Sequence, residues 1–317
     1  MGVSAAGRPA PFAAMDALAL EVGPTGPVAA VGGGTRGDLG GALDAGTRTV
    51  GAPQGILALC PEELVVTVGA GTPTTELEAA LAEVGQMVAL PVAEGSTVGG
   101  TLAAGHSSLH ALALGPARDA LLQARAVDAW GRVVTAGGPT VKNVSGFDLC
   151  RLLVGSLGTL ALLGEVTLRT RPRWRAGVWV AGVADPAGVL AAGAGPTALL
   201  WDGERVWAHL AGHTDDVAAA AARLAALGCD AVVDGPPPLP PHRGSVAPST
   251  VGELPAGHGG GFVAELGVGT VHTQRAPEAP AMPRRLHELH CSVKARFDPD
   301  GRLAPGRSPL HGVRVTG

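Results

Sequence analysis

The chain has 317 residues, a mass of 31.4 kDa, a net charge of -4 and a sequence pI near 6.2. That length supports two modest domains, each with its own core, and the mild acidity excludes the clustered basic face that nucleic-acid binding requires. Cys60, Cys150, Cys229 and Cys291 form no CxxC pair and read as reduced thiols, which excludes a resident iron-sulfur cluster or a disulfide framework.

In chain order, the apolar residues 12–22 carry Asp16 and Glu21 and lack a basic lead-in, so they do not read as a secretory signal. No run of about 18 residues is free of charge and glycine, so no membrane span is expected and the expected location is the cytoplasm. Residues 27–31 read as a strand that runs straight into VGGGTRG, and 64–68 as a second, β-branched strand. A helix is predicted over 72–85, with Thr72 as N-cap, Pro73 in the first position, Leu77, Leu81 and Val84 on one face and Gly85 ending it. A strand-turn-strand follows at 121–135, turning near Trp130 and Gly131, and a further strand at 160–169.

Pro172 marks a change of texture. A strand from Gly177, a helix from Asp185, strands at 198–201 and 205–210, a helix at 215–227 and a strand at 231–233 spell β-α-β-β-α-β, the ferredoxin-like order. The run DGPPPLPPHRG at 234–244 reads as a loop, because proline lacks the amide a strand donates. Residues 261–272 then read as one returning strand, 284–296 as a helix, and the end as a polar tail.

Gly32, Gly34 and Gly37 satisfy G-x-G-x-x-G, but no amphipathic helix opens at Gly37 and no acidic residue lies between Gly46 and Glu62, where a dinucleotide fold needs one for the ribose. A Walker loop is excluded by Asp38, which stands where the lysine belongs. What remains is either a surface turn or a strand end that aims successive amides at an anion. A second small-residue segment, EGSTVGGTLAAG at 94–105, and a third block, KNVSGFDLCRLLVGSLGTLALLGEVTLR at 142–169, favour the anion site, because two backbones can close on one diphosphate from both sides.

These segments, taken in order with GPARDALL and the closing FDPDGRLAPGR, resemble the FAD-binding domain of the vanillyl-alcohol-oxidase (PCMH) type, and more closely the FAD-binding subunit of bacterial glycolate oxidase and its actinobacterial relatives. The resemblance implies an α+β fold: a PCMH-type FAD-binding domain of two subdomains over 1–171, a small ferredoxin-like cap for substrate or partner over 172–283, and a segment over 284–317 that packs back on the FAD domain. It implies non-covalent FAD held by Gly32, Gly33, Gly34, Thr35 and Arg36 on one side and Thr97, Val98, Gly99, Gly100 and Gly105 on the other. Arg118, Asp119, Ser145, Gly146 and Asp148 match positions near the ribityl chain and pyrophosphate, and Gly158, Thr159 and Leu162 positions along the cofactor. The alternative for Asp148 is a helix N-cap for residues 149–154, and the two roles are compatible.

The implied substrate is a small 2-hydroxyacid. The implied partners are a second flavoprotein and an iron-sulfur subunit, which would hold the chain on the inner face of the membrane. A degenerate FAD scaffold or electron-transfer subunit, and a nucleotide-phosphate module without flavin, are the alternatives. Departures from the pattern are HSSLHALALGPARD where a basic stretch is usual, Phe147 for tyrosine, and Ala304 for the asparagine before Pro-Gly. His272, closing AELGVGTVH, is the candidate catalytic acid or base, with a structural strand end as its alternative. His106 and His110 read as loop histidines facing solvent, His209 and His213 as incidental. His287, Glu288 and His290 read as a solvated helix face rather than a metal site.

Overall fold

The computed structural model describes residues 11–138, 148–255, 257–278 and 281–316. Its helices are α1 (Pro11–Val22), α2 (Thr74–Glu83), α3 (Val98–Ala104), α4 (Ala111–Leu114), α5 (Ala117–Ala120), α6 (Leu149–Leu153), α7 (Pro186–Ala191), α8 (Thr214–Ala225) and α9 (Arg284–Phe297). Its strands up to the proline at 172 are β1 (Val28–Ala30), β2 (Arg48–Val50), β3 (Ile56–Cys60), β4 (Val65–Gly69), β5 (Gln86–Val88), β6 (Leu121–Val127), β7 (Val133–Gly137) and β8 (Leu162–Pro172). Those after it are β9 (Ala176–Gly182), β10 (Ala198–Trp201), β11 (Val206–Gly212), β12 (Ala231–Val233), β13 (His242–Ser245), β14 (Phe262–Glu265), β15 (Thr270–Thr273), β16 (Ala281–Pro283) and β17 (Arg314–Thr316).

The chain divides into two compact units. The first takes Met1–His106, Pro116–Pro172 and Pro280–Gly317, and the second Ser107–Gly115 and Arg173–Ala279. The expected first domain runs unbroken over 1–171. Residues 107–115 leave it because His110 and Leu112 pack against Thr197 and the core of the second unit.

In the first unit a six-stranded antiparallel sheet has the order β3-β4-β8-β6-β7, with β5 beside the far end of β8, and β1 and β2 form a separate parallel pair. The apolar residues of 12–22 form α1 because Met15, Leu18 and Val22 recur on one face and are buried with Val28, Val127, Leu162 and Leu303. Gly164 of β8 allows that approach, since an added Cβ would lie 2.3 Å from Met15 Sδ. The helix predicted over 72–85 forms as α2, with Leu77 and Leu81 buried and Val84 exposed. Its cap is Pro73 and not Thr72: the Thr72 hydroxyl donates to Gly69 O at 2.7 Å and accepts from Gly55 N at 2.8 Å, which occupies it in tying two loops together.

In the second unit the strand order is β12-β9-β11-β10-β14-β15-β13, antiparallel at every pair. The first four strands have the 4-1-3-2 order of the β-α-β-β-α-β module. Val180, Leu199, Ala208 and Leu210 of that sheet bury against Val189 of α7 and Ala220 and Leu224 of α8. Two expectations are corrected here. Residues 261–272 are a hairpin, because Gly267 and Gly269 take φ of +75° and +91° and Gly269 N donates to Glu265 O, turning the chain back. The segment read as a loop ends in a strand, because its last proline is Pro241 and β13 has every amide needed to pair β15. No helix among the described residues is long and apolar enough to cross a membrane.

Candidate functional site

The first glycine loop leaves β1 where Val31 N donates to Val50 O at 2.9 Å. The amides of Gly32, Gly33, Gly34 and Thr35 donate to no acceptor among the described residues, and all four residues are exposed. Glycine is required for two distinct reasons. An added Cβ on Gly32 would lie 2.3 Å from Thr97 Oγ1, and one on Gly33 would overlap Gly95 O at 1.4 Å, whereas Gly34 takes a φ of +73° with open space beside it. Arg36 turns back on the second loop: its Nε donates to His106 Nδ1 at 2.8 Å and its Nη1 reaches Ser96 Oγ at 3.4 Å.

The second loop plays a different part from the one expected. Thr97 caps α3 through Oγ1, which accepts from Gly100 N at 3.1 Å. Val98 N donates to Thr72 O at 2.9 Å and Gly99 N to Ala70 O at 2.6 Å. With those amides engaged inside the protein, this loop walls the site with Cα and methyl surface rather than offering donors. Gly99 is small because a Cβ there would lie 2.7 Å from Ala70 Cβ. Gly105 closes α3 at a φ of +68°, against Gly155.

The third wall is the stretch after α6, where Leu157 and Gly158 take φ of +56° and +75° before β8 begins. Together the three segments enclose a groove with about 960 Å³ between its walls, open mouth included. Of the expected cofactor residues, Gly32, Gly33, Gly34, Thr35, Arg36, Thr97, Gly99, Gly100, Gly158 and Leu162 line it. Residues that sequence reasoning missed complete it: Ala70, Gly71, Ala103, Ala104, Ser156 and, from near the chain's end, Arg307. The alanines carried no signal beyond the smallness of their neighbours. Arg307 lay in the flagged FDPDGRLAPGR run, and its Nη2 donates to Gly37 O at 2.7 Å, which pins the first loop. Two guanidiniums therefore border the free amides, a combination suited to a doubly charged anion.

The other expected residues lie elsewhere. Val98 is buried beneath the groove, and Thr159 donates to Ser156 O at 2.7 Å inside the wall. Asp148 accepts from Arg151 N at 3.1 Å as the N-cap of α6, the alternative its sequence position offered. Asp119, next to Arg118 on α5, pairs with Arg151 at 2.7 Å. Ser145, Gly146 and Phe147 lie outside the described residues. Ala304 is 2% exposed with a φ of +48° and its N donates to Val28 O, so it sits in the core and not in the groove lining.

In the second unit, His110 and His209 are not the solvent-facing or incidental residues expected. Both lie against Thr197 Oγ1, at 3.2 and 2.6 Å, among Trp174 and Trp179. Burial holds the His209 imidazole down at about 4, helped by His110 beside it, and burial lowers His110 below its usual value. His272 stands on β15 with Nε2 3.1 Å from Glu265 Oε1. Among the described residues no three of His, Cys, Asp and Glu come together as a metal site.

The fold and this groove define a class, and the comparisons with known proteins agree: residues 22–137 match the FAD binding domain family. That stretch is similar to FAD-binding domains, and the fold is similar to that of PCMH-type FAD-binding enzymes. An alkyldihydroxyacetonephosphate synthase structure superposes on 93% of this chain and 74% of its own with a TM-score of 0.65 at 14% identity, a likeness of fold. Among sequences, the chain is 37% identical over 153 residues to the glycolate oxidase subunit GlcE of Escherichia coli, covering 47% of this chain and 44% of that protein. It is 46% identical over 85 residues to a D-lactate dehydrogenase of Archaeoglobus fulgidus, 27% of this chain and 19% of that one. The matched stretch thus spans less than half of either relative.

Proposed function

We propose that the chain is an FAD-linked oxidoreductase subunit acting on a small 2-hydroxyacid. The observation that carries this reading is the run of four exposed, unpartnered amides at Gly32, Gly33, Gly34 and Thr35, bordered by Arg36 and Arg307 at one end of a groove walled by small residues. A diphosphate fits such a cradle, because each amide gains a charged acceptor and the guanidiniums neutralise it. Ala103, Ala104 and Leu162 provide an apolar surface for the flat part of the cofactor. Bound there, FAD would supply the two-electron chemistry while the chain positions it.

The substrate class follows the glycolate oxidase and D-lactate dehydrogenase relatives. A partner flavoprotein and an iron-sulfur subunit would carry electrons onward, placing the chain peripherally at the inner membrane face. Asp119 and Asp148, each engaged by Arg151, shape α5 and α6.

The test is the visible spectrum of the purified protein under anaerobic conditions, before and after glycolate or D-lactate is added. A yellow protein bleached by either acid is the expected result. A protein colourless even after incubation with FAD would overturn the cofactor assignment. A yellow protein reduced by light and by neither acid would overturn substrate turnover in favour of an electron-transfer role.

A further inference from the structure

The helix α9 carries an apolar stripe that the described residues leave uncovered. Leu286, Leu289 and Val293 recur at three- and four-residue spacing and so share one face. No residue of α9 is buried, and Leu289 stands 59% exposed. Most of the stability of a helix in a protein comes from packing such a face against a neighbour. α9 is instead tethered toward its C-terminal end by Lys294, whose Nζ donates to Thr159 O at 2.8 Å, to Leu303 O at 3.1 Å and to Asp298 Oδ2 at 2.5 Å.

Between α9 and the stretch that leads from α6 to β8 lies a groove with about 1400 Å³ between its walls, open mouth included. Leu152 and Leu160 line it from the body, Leu289 and Val293 from α9, with Pro309 and Leu310 beside them. It is separate from the flavin groove, since only Ser156 and Arg307 line both. A helix about 10 Å across has a section of roughly 80 Å², so this space takes roughly 18 Å of helix, about twelve residues. The concavity favours that occupant over a bilayer: the apolar ridge of a helix fills a groove, whereas a flat lipid surface bridges it.

Charge specifies the flank of the occupant. α9 holds Arg284, Arg285, Lys294 and Arg296 against Glu288, in a chain of net charge -4. Lys294 is spent on the tether, but Arg284, Arg285 and Arg296 are exposed and form no ion pair among the described residues. At 3.6 residues per turn, Arg285 and Arg296 fall within about 40° of Leu289 around the helix, along the outer edge of the stripe. A ridge seated on Leu289 therefore brings its flank to two unpaired guanidiniums, which take carboxylates.

We propose that the groove between α6 and α9 docks an amphipathic helix of a partner protein, its apolar ridge on Leu152, Leu289 and Val293 and its acidic flank on Arg285 and Arg296. The docking surface depends neither on bound flavin nor on the substrate class. The spacing of leucines on α9 was legible in the sequence, but only the fold shows that the stripe faces a groove and not a core.

The test uses a fluorescein-labelled peptide of roughly 15 residues, with leucines at i, i+3, i+4 and i+7 and with glutamate and alanine elsewhere. It is titrated with the full-length protein and read by anisotropy. Its comparators are the same residues in scrambled order and the peptide with lysine for glutamate. Saturable binding at least about tenfold tighter than either comparator is expected, weakening as salt is raised. Leu289→Ser, at an exposed position where folding is little affected, should weaken it about tenfold or more. Arg285→Glu combined with Arg296→Glu should invert the preference, so that the lysine peptide binds the more tightly.

Binding no tighter than that of the scrambled peptide, an unchanged affinity in Leu289→Ser, or an uninverted preference in the charge-reversed variant would overturn the proposal. Two further outcomes would replace the occupant. A dimer in sedimentation that Leu289→Ser dissociates, with no peptide binding, would put a second copy of the chain in the groove. Leu289-dependent binding to vesicles of phosphatidylglycerol and phosphatidylcholine, with no peptide binding, would put a membrane there.

Discussion

Gly33 and Gly95 meet backbone to backbone: the position a Cβ would take on Gly33 is 1.4 Å from the carbonyl oxygen of Gly95. The first loop is therefore held to the second by the absence of a side chain, and this contact, more than any ligand, dictates the glycine. Gly33→Ala should cost at least about 1–3 kcal/mol, as overpacking does, read as a lower urea midpoint of protein freed of flavin. Gly51→Ala is the control. That glycine has no atom within 4 Å of an added Cβ and no positive φ, so the change should be neutral or stabilise by about 0.4–1 kcal/mol. Equal stability of the two variants would remove the interlocking of the loops.

Arg302 predicts a second effect of the same kind. It is 6% exposed, and all five of its side-chain N–H groups have backbone carbonyl acceptors: Gly26 from Nε, Gly23 and Ala129 from Nη1, Val22 and Thr25 from Nη2, at 2.8 to 2.9 Å. It fastens the C-terminal segment to the end of α1 and the turn after β6. Arg302→Met removes all five of these hydrogen bonds, those to the buried Val22 and Ala129 among them, and is expected to lose about 3 kcal/mol or more. Arg302→Lys should recover only part, because an ammonium has three donors and no fork. Full stability in Arg302→Met by urea unfolding would contradict the clamp.

The glycine segments announced the groove because smallness is visible in a sequence, and they announced its three walls in the right order. What each wall does was not visible. Whether an amide is free depends on partners distant in sequence, and Gly99 N goes to Ala70 O while Gly33 N meets no acceptor among the described residues. The 4-1-3-2 core of the second sheet was legible because each strand and helix had its own period. The three strands that widen it were not, since β13 follows a proline run and β14 and β15 together look like one strand until their glycines turn. His209 looked incidental because nothing in its neighbours forecasts Trp174, Trp179 and His110 packing around it.

That cluster gives a pH dependence with a definite sign. An unfolded histidine titrates near 6.5, while His209 in the folded protein is held at about 4 and His110 is lowered too. Between those values the unfolded chain binds protons that the folded chain refuses, so the contribution is fully present above about pH 6.5 and is lost as the pH falls toward 4. The urea midpoint should drop between about pH 7 and pH 5, and it should drop less in His209→Phe, which keeps a ring and cannot titrate. Parallel pH curves for the two proteins would refute this.

Ala104 offers the sharpest separation of binding from folding. It lies at the C-terminal end of α3, half-exposed, with its side chain among the groove residues. Leucine is nearly as good a helix former as alanine, so Ala104→Leu should leave the unfolding midpoint of the flavin-free protein within about 0.5 kcal/mol of the parent. Its added branched carbons would stand in the space assigned to the cofactor. The variant should therefore purify with less flavin and bind added FAD at least about tenfold more weakly, a loss of about 1.4 kcal/mol, measured by quenching of flavin fluorescence. Gly33→Ala cannot make this distinction, because it disturbs the walls themselves. If Ala104→Leu retained stoichiometric flavin with unchanged affinity, the cofactor would have to lie outside the groove formed by residues 32–36, α3 and the stretch before β8.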